Sequence, residues 1–259
     1  KYTVFKFFKY QPFSFPLPHF QPHYDNSTGF YHNNSNPPQP TSSLSQHNSR
    51  HLNLMDTVIG IKGDDFVLLA SDAMCGRSII VFKQDEDKML QLNSNAVLAM
   101  AGAQGDRDSF GNLIKRNISL KELRDQRQLS TSEITHFVRS ELHDALRSAP
   151  VQVNLLIGGV DVDQKTDESG AVVEKAVPSL FYMDYLASMI PLDYGVHGHA
   201  SNFCLSLLDA DWKRGLNREQ VIDLFKHCRK ELNTRFLISF AQWKVRILTK
   251  DGVEEITVD

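Results

Sequence analysis

The chain has 259 residues, 41% hydrophobic and 23% charged, with a formal net charge of −3. That length suits one large domain or two small ones with a sizeable core, and the slight acidity gives no electrostatic basis for binding nucleic acid or an anionic membrane surface. No run approaches the roughly 18 apolar residues that a membrane-spanning helix needs, and Cys75, Cys204 and Cys228, odd in number and without CxxC spacing, read as inert thiols of a reduced intracellular setting.

Residues 1–54 hold seven of the ten prolines, five of the ten histidines and only five charged residues. This Asn/Ser/Pro/His/aromatic mixture has no helical or strand period, so a disordered extension is expected. A propeptide, sequence upstream of a start at Met55, and an unusual tail all fit it. Pro12, Pro16 and Pro18 break the apolar core a signal peptide would need. The sequons at Asn26, Asn33 and Asn117 therefore carry little weight. His19, His23, His32, His47 and His51 lack metal-ligand spacing.

From Met55 onward the chain carries 30 acidic against 24 basic residues, and its pattern becomes regular. Val58–Lys62 and Phe66–Ser71 read as strands around Gly63-Asp64-Asp65; Lys88–Leu92 and Ala96–Met100 repeat the arrangement around Asn93-Ser94-Asn95. A helix follows, with Asp106 as its expected cap and Phe110, Leu113 and Ile114 on one face. In the next, Ser130 and Glu133 make a capping-box pattern ahead of Ile134, Phe137, Val138, Leu142 and Ala145. Val151–Asp161 and Pro178–Met189 read as buried strands joined through a polar insertion, Gln164–Glu174. A strand end at Gly195–Gly198 leads to a short helix, Ser201–Leu208. Asn217, three before Gln220, is the expected cap of a helix with Val221, Leu224, Phe225, Cys228 and Leu232 as its apolar stripe. Trp243–Thr249 and Val253–Val258 form a closing hairpin whose Asp251-Gly252 matches a type I′ turn. Strands, two helices, strands, two helices, strands is the order of an α+β layered fold, with two sheets between helical layers.

Taken together, TVIGIKGDDFVLLASD, DKMLQLNSNAVLAMAGAQGD, VNLLIGGVD, FYMDYLASM and GHASNFCLSLLD resemble a 20S proteasome β subunit over essentially everything from Met55 to Asp259. Within that family, YMDYLA and the closing RFLISF…WKVRILTKDG resemble the β4-type branch. The resemblance implies a four-layer αββα sandwich of the N-terminal-nucleophile hydrolase type, spanning residues 55–259. Active members are cut after a glycine to expose an N-terminal threonine, whose hydroxyl attacks the peptide carbonyl. Its own amine serves as base, with a lysine and an aspartate in support.

Carried over position by position, the family aspartate falls on Asp72 and the lysine on Lys88, sixteen residues later. Counting back from Asp72 puts the nucleophile at Asp56, or at Met55 if the Gly63-Asp64-Asp65 turn holds an extra residue. Neither is a nucleophile of the required kind. Thr57 is the nearest hydroxyl, but it follows Asp56 rather than glycine, and starting there would turn the other side-chain face inward. The family's supporting serine aligns near His199 and its late-helix aspartate near Phe236. The expectation is a non-catalytic β subunit without cofactor or metal. It would complete the β ring for ubiquitin-dependent and other protein degradation, in cytoplasm and nucleus, starting unprocessed at Met55-Asp56. Its implied partners are β3- and β5-type neighbours, the α ring and the opposite β ring. The alternative is an active threonine peptidase matured at Thr57.

Three further groups read as structural. Asp72 and Lys88 are expected to be an ion pair that orders the first strand. His197 and His199, two apart, would share a strand face as hydrogen-bonded histidines. Cys75 reads as a small buried residue, and the carboxylates of Lys83–Lys88 as a solvated turn or subunit contact without calcium-loop spacing.

Overall fold

A computed structural model describes residues 56–77, 80–166, 172–236 and 242–258. The extension read at residues 1–54 lies outside the described residues, as does Met55. In chain order the elements are β1 (Val58–Lys62), β2 (Val67–Asp72), β3 (Cys75–Arg77), β4 (Ile80–Lys83), β5 (Met89–Gln91), β6 (Ala96–Gly102), α1 (Gln104–Asp125) and α2 (Thr131–Ala145). They continue with β7 (Val153–Thr166), β8 (Val172–Met183), β9 (Met189–Pro191), β10 (Tyr194–His197), α3 (Ser201–Asp211), α4 (Arg218–Arg235), β11 (Trp243–Thr249) and β12 (Gly252–Ile256). Two antiparallel five-stranded sheets result, in the orders β10-β1-β2-β11-β12 and β5-β6-β7-β8-β9, with β3 and β4 as a separate pair.

Side-chain alternation makes the layers. In a strand, successive residues face opposite sides, and here both sides are apolar. Ile59, Ile61, Leu68 and Ala70 pack with Cys204, Leu208, Phe225, Cys228 and Leu232 of α3 and α4. Their strand neighbours Val58, Val67 and Leu69 meet Val97, Ala99, Leu156 and Leu180 of the second sheet. Leu98, Leu155 and Ile157, on that sheet's far side, pack against Phe110, Ile114, Ile134, Val138 and Leu142 of α1 and α2. The α+β expectation of two sheets between helical layers is met. Gly159 shows how tightly a helix sits: a Cβ there would lie 2.1 Å from Thr131 Oγ1.

Both capping boxes form. The Ser130 hydroxyl accepts from Glu133 N–H (3.3 Å) while Glu133 accepts from Ser130 N–H (2.9 Å), and Arg127 pairs with the same carboxylate (2.6 Å). These bonds hold the Glu133 carboxyl down to about 2, the Arg127 contact contributing most. Asn217 and Gln220 repeat the reciprocal pair at α4 (2.9 and 3.0 Å).

Several expectations need correction. Asp106 does not cap α1: the cap position is Ala103, and Asp106 instead accepts from Gln152 N–H (3.1 Å). The buried stripe of α1 runs through Arg107, Phe110, Gly111, Ile114 and Ile118, which turns Leu113 outward at 47% exposure. The strand read over Pro178–Met189 is broken after Met183, because Asp184 Oδ1 accepts from Leu186 and Ser188 N–H (2.9 and 2.8 Å) and folds the chain back. The side chain competes here with the sheet ladder and wins. Register between β7 and β8 continues to Thr166↔Val172, so the insertion read at Gln164–Glu174 prolongs one long hairpin around residues 167–171, which lie outside the described residues. The closing turn is not type I′: it needs Asp251 at positive φ, whereas only Gly252 (φ 130°) adopts one there. The β3–β4 pair went unread, because its residues are too few for a period.

His197 closes β10 between the layers. Its Nε2 donates to the Leu155 carbonyl (3.0 Å), and its ring stacks on Tyr182 at 4.0 Å. Burial, partly offset by that bond, lowers its pKa to about 4. The unfolded histidine, near 6.5, binds its proton first on acidification, so the native state loses stability as pH falls from about 6.5 to 4. Urea unfolding of the chain and of His197→Gln across that window should differ in slope, the histidine contributing a loss of about 3 kcal/mol.

Candidate functional site

The site forms where β2 ends. Asp72 is the last residue of that strand, and β2 pairs with both β1 and β11. Thr57 and Asp72 exchange backbone contacts across this end: Asp72 N–H donates to the Thr57 carbonyl (3.1 Å), and Thr57 N–H donates to Asp72 Oδ1 (2.6 Å). The other carboxylate oxygen, Oδ2, accepts from Lys88 Nζ at 2.7 Å. Lys88 immediately precedes β5 and is held there by its own carbonyl, which accepts from Met100 N–H of β6 (2.9 Å).

Lys88 is 1% exposed, so its ammonium must be satisfied from within. Three acceptors meet its three N–H donors: Asp72 Oδ2 (2.7 Å), the Met74 carbonyl (2.7 Å) and Asp56 Oδ1 (2.8 Å). Asp56 is equally buried. Its Oδ2 accepts from Gly102 N–H at 3.1 Å and lies 3.5 Å from Arg107 Nε. Glycine is required at 102, where φ is +150° and a Cβ would sit 2.3 Å from the Gln152 carbonyl oxygen. Arg107 in turn binds Glu86 (3.0 Å) and the Gly102 carbonyl (3.3 Å).

Three carboxylates thus share two cations out of water. Burial is the largest influence on Asp72 and pushes its pKa up; the Lys88 charge and hydrogen bond work against it. Cys75, beside the cluster, donates weakly to Gln104 Oε1 (3.5 Å). Its thiol is raised by burial and by Glu86, which disfavours the nucleophilic thiolate.

The structure therefore brings Asp72, Lys88 and Asp56 together. It does not bring Thr57 Oγ1 to the lysine: among the described residues that buried hydroxyl has no hydrogen-bond partner. The solvated turn expected over Lys83–Lys88 is corrected as well. Lys83, Gln84 and Asp85 are exposed, but Glu86 is buried on Arg107, and Asp87 pairs with Arg246 (2.5 Å). Arg107 and Glu86 escaped the sequence reading. The available signal was an arginine on the apolar stripe of α1, since a charge on a buried face needs a partner.

The two histidines do not share a face. His197 is buried, while the chain turns at Gly198 (φ 87°) and leaves His199 exposed. Phe236, where the family aspartate aligns, packs edge-on against Phe203 (5.4 Å). Among the described residues no three His, Cys, Asp or Glu side chains converge as metal ligands.

An aspartate, a lysine and a second acid at one strand end, in a four-layer αββα sandwich, can be set beside known proteins. The family described as "Proteasome subunit" matches residues 55–248. The chain belongs to the proteasome β-subunit family. It is 38% identical to proteasome subunit beta type-2 of Dictyostelium discoideum, over 77% of this chain and 96% of that one. Against proteasome subunit beta type-2 of Oryza sativa subsp. japonica it is 36% identical, over 78% and 89% of the two chains. Against proteasome subunit beta type-4 of Saccharomyces cerevisiae it is 36% identical, over 78% and 97%. The layered fold is that of the N-terminal-nucleophile hydrolases to which this family belongs.

In this β subunit, removing Lys88 strands two buried carboxylates. Lys88→Met should lower the unfolding free energy by about 3–5 kcal/mol in urea titrations at pH 7. The deficit should shrink toward pH 5 as the Asp72 carboxyl, already raised by burial, takes up a proton.

Proposed function

We propose that this chain is a non-catalytic β subunit of the 20S core particle. The observation that carries the reading is the Asp56 carboxylate on Lys88 Nζ at 2.8 Å. An N-terminal-nucleophile mechanism needs a hydroxyl and a free amine beside that ammonium. Here all three N–H donors of Lys88 are engaged, and the residue in the nucleophile's place is an anion that the lysine and Arg107 keep paired. A carboxylate held this way has no hydroxyl to attack with. Thr57 offers no alternative, since its backbone N–H is committed to Asp72 (2.6 Å) and its hydroxyl meets no partner among the described residues.

The subunit's role is to complete the β ring and wall the chamber in which neighbouring subunits cut, in ubiquitin-dependent and other protein degradation in cytoplasm and nucleus. Its partners are β3- and β5-type neighbours, the α ring and the opposite β ring. Surfaces suited to such contacts are the outer faces of α1 and α2, the β11–β12 hairpin, and the β3–β4 pair with exposed Ile80, Val81 and Phe82.

The particle should be treated with an electrophilic probe that caps N-terminal threonines, and this subunit should then be sequenced from its N-terminus. No adduct on this chain, and a terminus that retains Asp56, are expected. A chain beginning at Thr57 and carrying the probe would overturn the reading.

A further inference from the structure

We propose that the outer edge of β7, from Val162 to Thr166, takes up one extended segment of a neighbouring chain as an added strand, and that this segment alternates apolar and basic residues. The proposal rests on the reading of this chain as a subunit of the core particle. Its ground is a mismatch of strand lengths within the second sheet. β6 pairs with β7 as far as Ala96↔Gly159, and β9 pairs with β8 only over Phe181–Met183. β7 and β8 go on pairing with each other to Thr166↔Val172. The hairpin therefore leaves the sheet as a two-stranded ribbon, which has little stability of its own.

Backbone direction decides which edge of the ribbon is open. Val160 N–H donates to the Asn95 carbonyl (3.1 Å), just ahead of β6. Backbone groups on one edge recur at every second residue. Val162, Gln164 and Thr166 thus turn their N–H and C=O the same way, past the point where β6 begins. On the opposite edge the Leu180 carbonyl accepts from Leu192 N–H (2.9 Å), which makes Pro178 the next residue to face outward. Proline has no N–H to offer and bars a further strand there. Val162–Thr166 contains no proline, and its length is about that of an ordinary strand. The β7 edge is the one that can be extended.

The two faces of the ribbon select what fits. Val160 belongs to the apolar layer between the sheets, and Val162, two residues on, shares its face with 38% of its surface open. The other face carries Asp161 and Asp163. Asp161 accepts from Thr131 N–H (3.0 and 3.2 Å) and from the Thr131 hydroxyl (3.0 Å) at the start of α2. That contact anchors the root of the ribbon and holds its edge in place. Residues 161–177 include five acidic and two basic residues, so a second copy of the ribbon is repelled. A strand with lysine or arginine on the Asp163 side and an apolar residue beside Val162 is attracted. Main-chain hydrogen bonds supply the contact, and the alternating faces supply the choice of segment.

The test is amide hydrogen exchange in the assembled particle, read residue by residue against the denatured chain. The amides of Asp161, Asp163 and Lys165 face β8 and should be slow whatever the edge meets. Those of Val162, Gln164 and Thr166 should be slowed at least tenfold as well; any smaller protection overturns the proposal. Gln164→Pro removes the central outward donor while leaving the β7–β8 ladder its bonds. In that variant Val162 and Thr166 should exchange as open amides while Asp161 and Asp163 stay slow. Protection of Val162 and Thr166 that survives the substitution shows a cover other than a strand and overturns the proposal too. With Gln164 intact, a photoreactive phenylalanine analogue in place of Val162 should join to a neighbouring subunit, within a segment that alternates apolar and basic residues. Capture on a helix, or on a second copy of this chain, overturns it. A chain that enters no particle would overturn the subunit reading together with this one, whereas an open edge in an assembled particle would overturn this one alone.

Discussion

One ammonium organises the junction of the two sheets. Lys88 sits at the entrance to β5 in one sheet, and its nitrogen reaches Asp72 at the end of β2 in the other. Through Asp72 the contact extends to the backbone of Thr57, and through Asp56 to Gly102 at the end of β6. A buried lysine is tolerated only when every donor is met, and that demand fixes where the first strand begins.

The same junction underlies the non-catalytic reading proposed above. A hydrolase of this architecture needs the lysine to favour an anionic nucleophile, so it requires an ammonium with a donor to spare. Here an aspartate takes that donor, and the glycine N–H and arginine that face its second oxygen complete a closed set of contacts. The scaffold keeps the strand end, the lysine and the aspartate, and the lysine's third donor meets the Asp56 side chain. On that non-catalytic reading, hydrogen bonds that an active member would turn toward a substrate hold this junction together instead.

Much of this was legible in the residues. Alternating apolar positions such as Ile59 and Ile61 against Val58 announced strands buried on both faces, and Ser130-Glu133 and Asn217-Gln220 announced helix starts, because both signals act within a few residues. The family resemblance placed Asp72 and Lys88 as an ion pair, whereas Asp56, reached only as a nucleophile position, was not expected on the same lysine. Less legible was whatever depends on a distant partner. Arg107 and Glu86 lie 21 apart, and nothing local says that a carboxylate in an acidic run will turn inward. Asp184 illustrates the other failure: YMDYLA reads as continuous strand until its side chain captures two backbone N–H groups. Asp106 looked like a cap for the same reason that it now binds Gln152, namely a short carboxylate near free donors.

The β3–β4 pair stands outside both sheets, and Ile80, Val81 and Phe82 project from it with 60%, 41% and 67% of their surface open. A two-stranded ribbon has little stability of its own, and three adjacent apolar side chains in water favour any surface that covers them. A subunit made in excess of its neighbours would therefore carry a sticky flag, visible to chaperones and to aggregation alike. Burial of the same three residues would remove the flag.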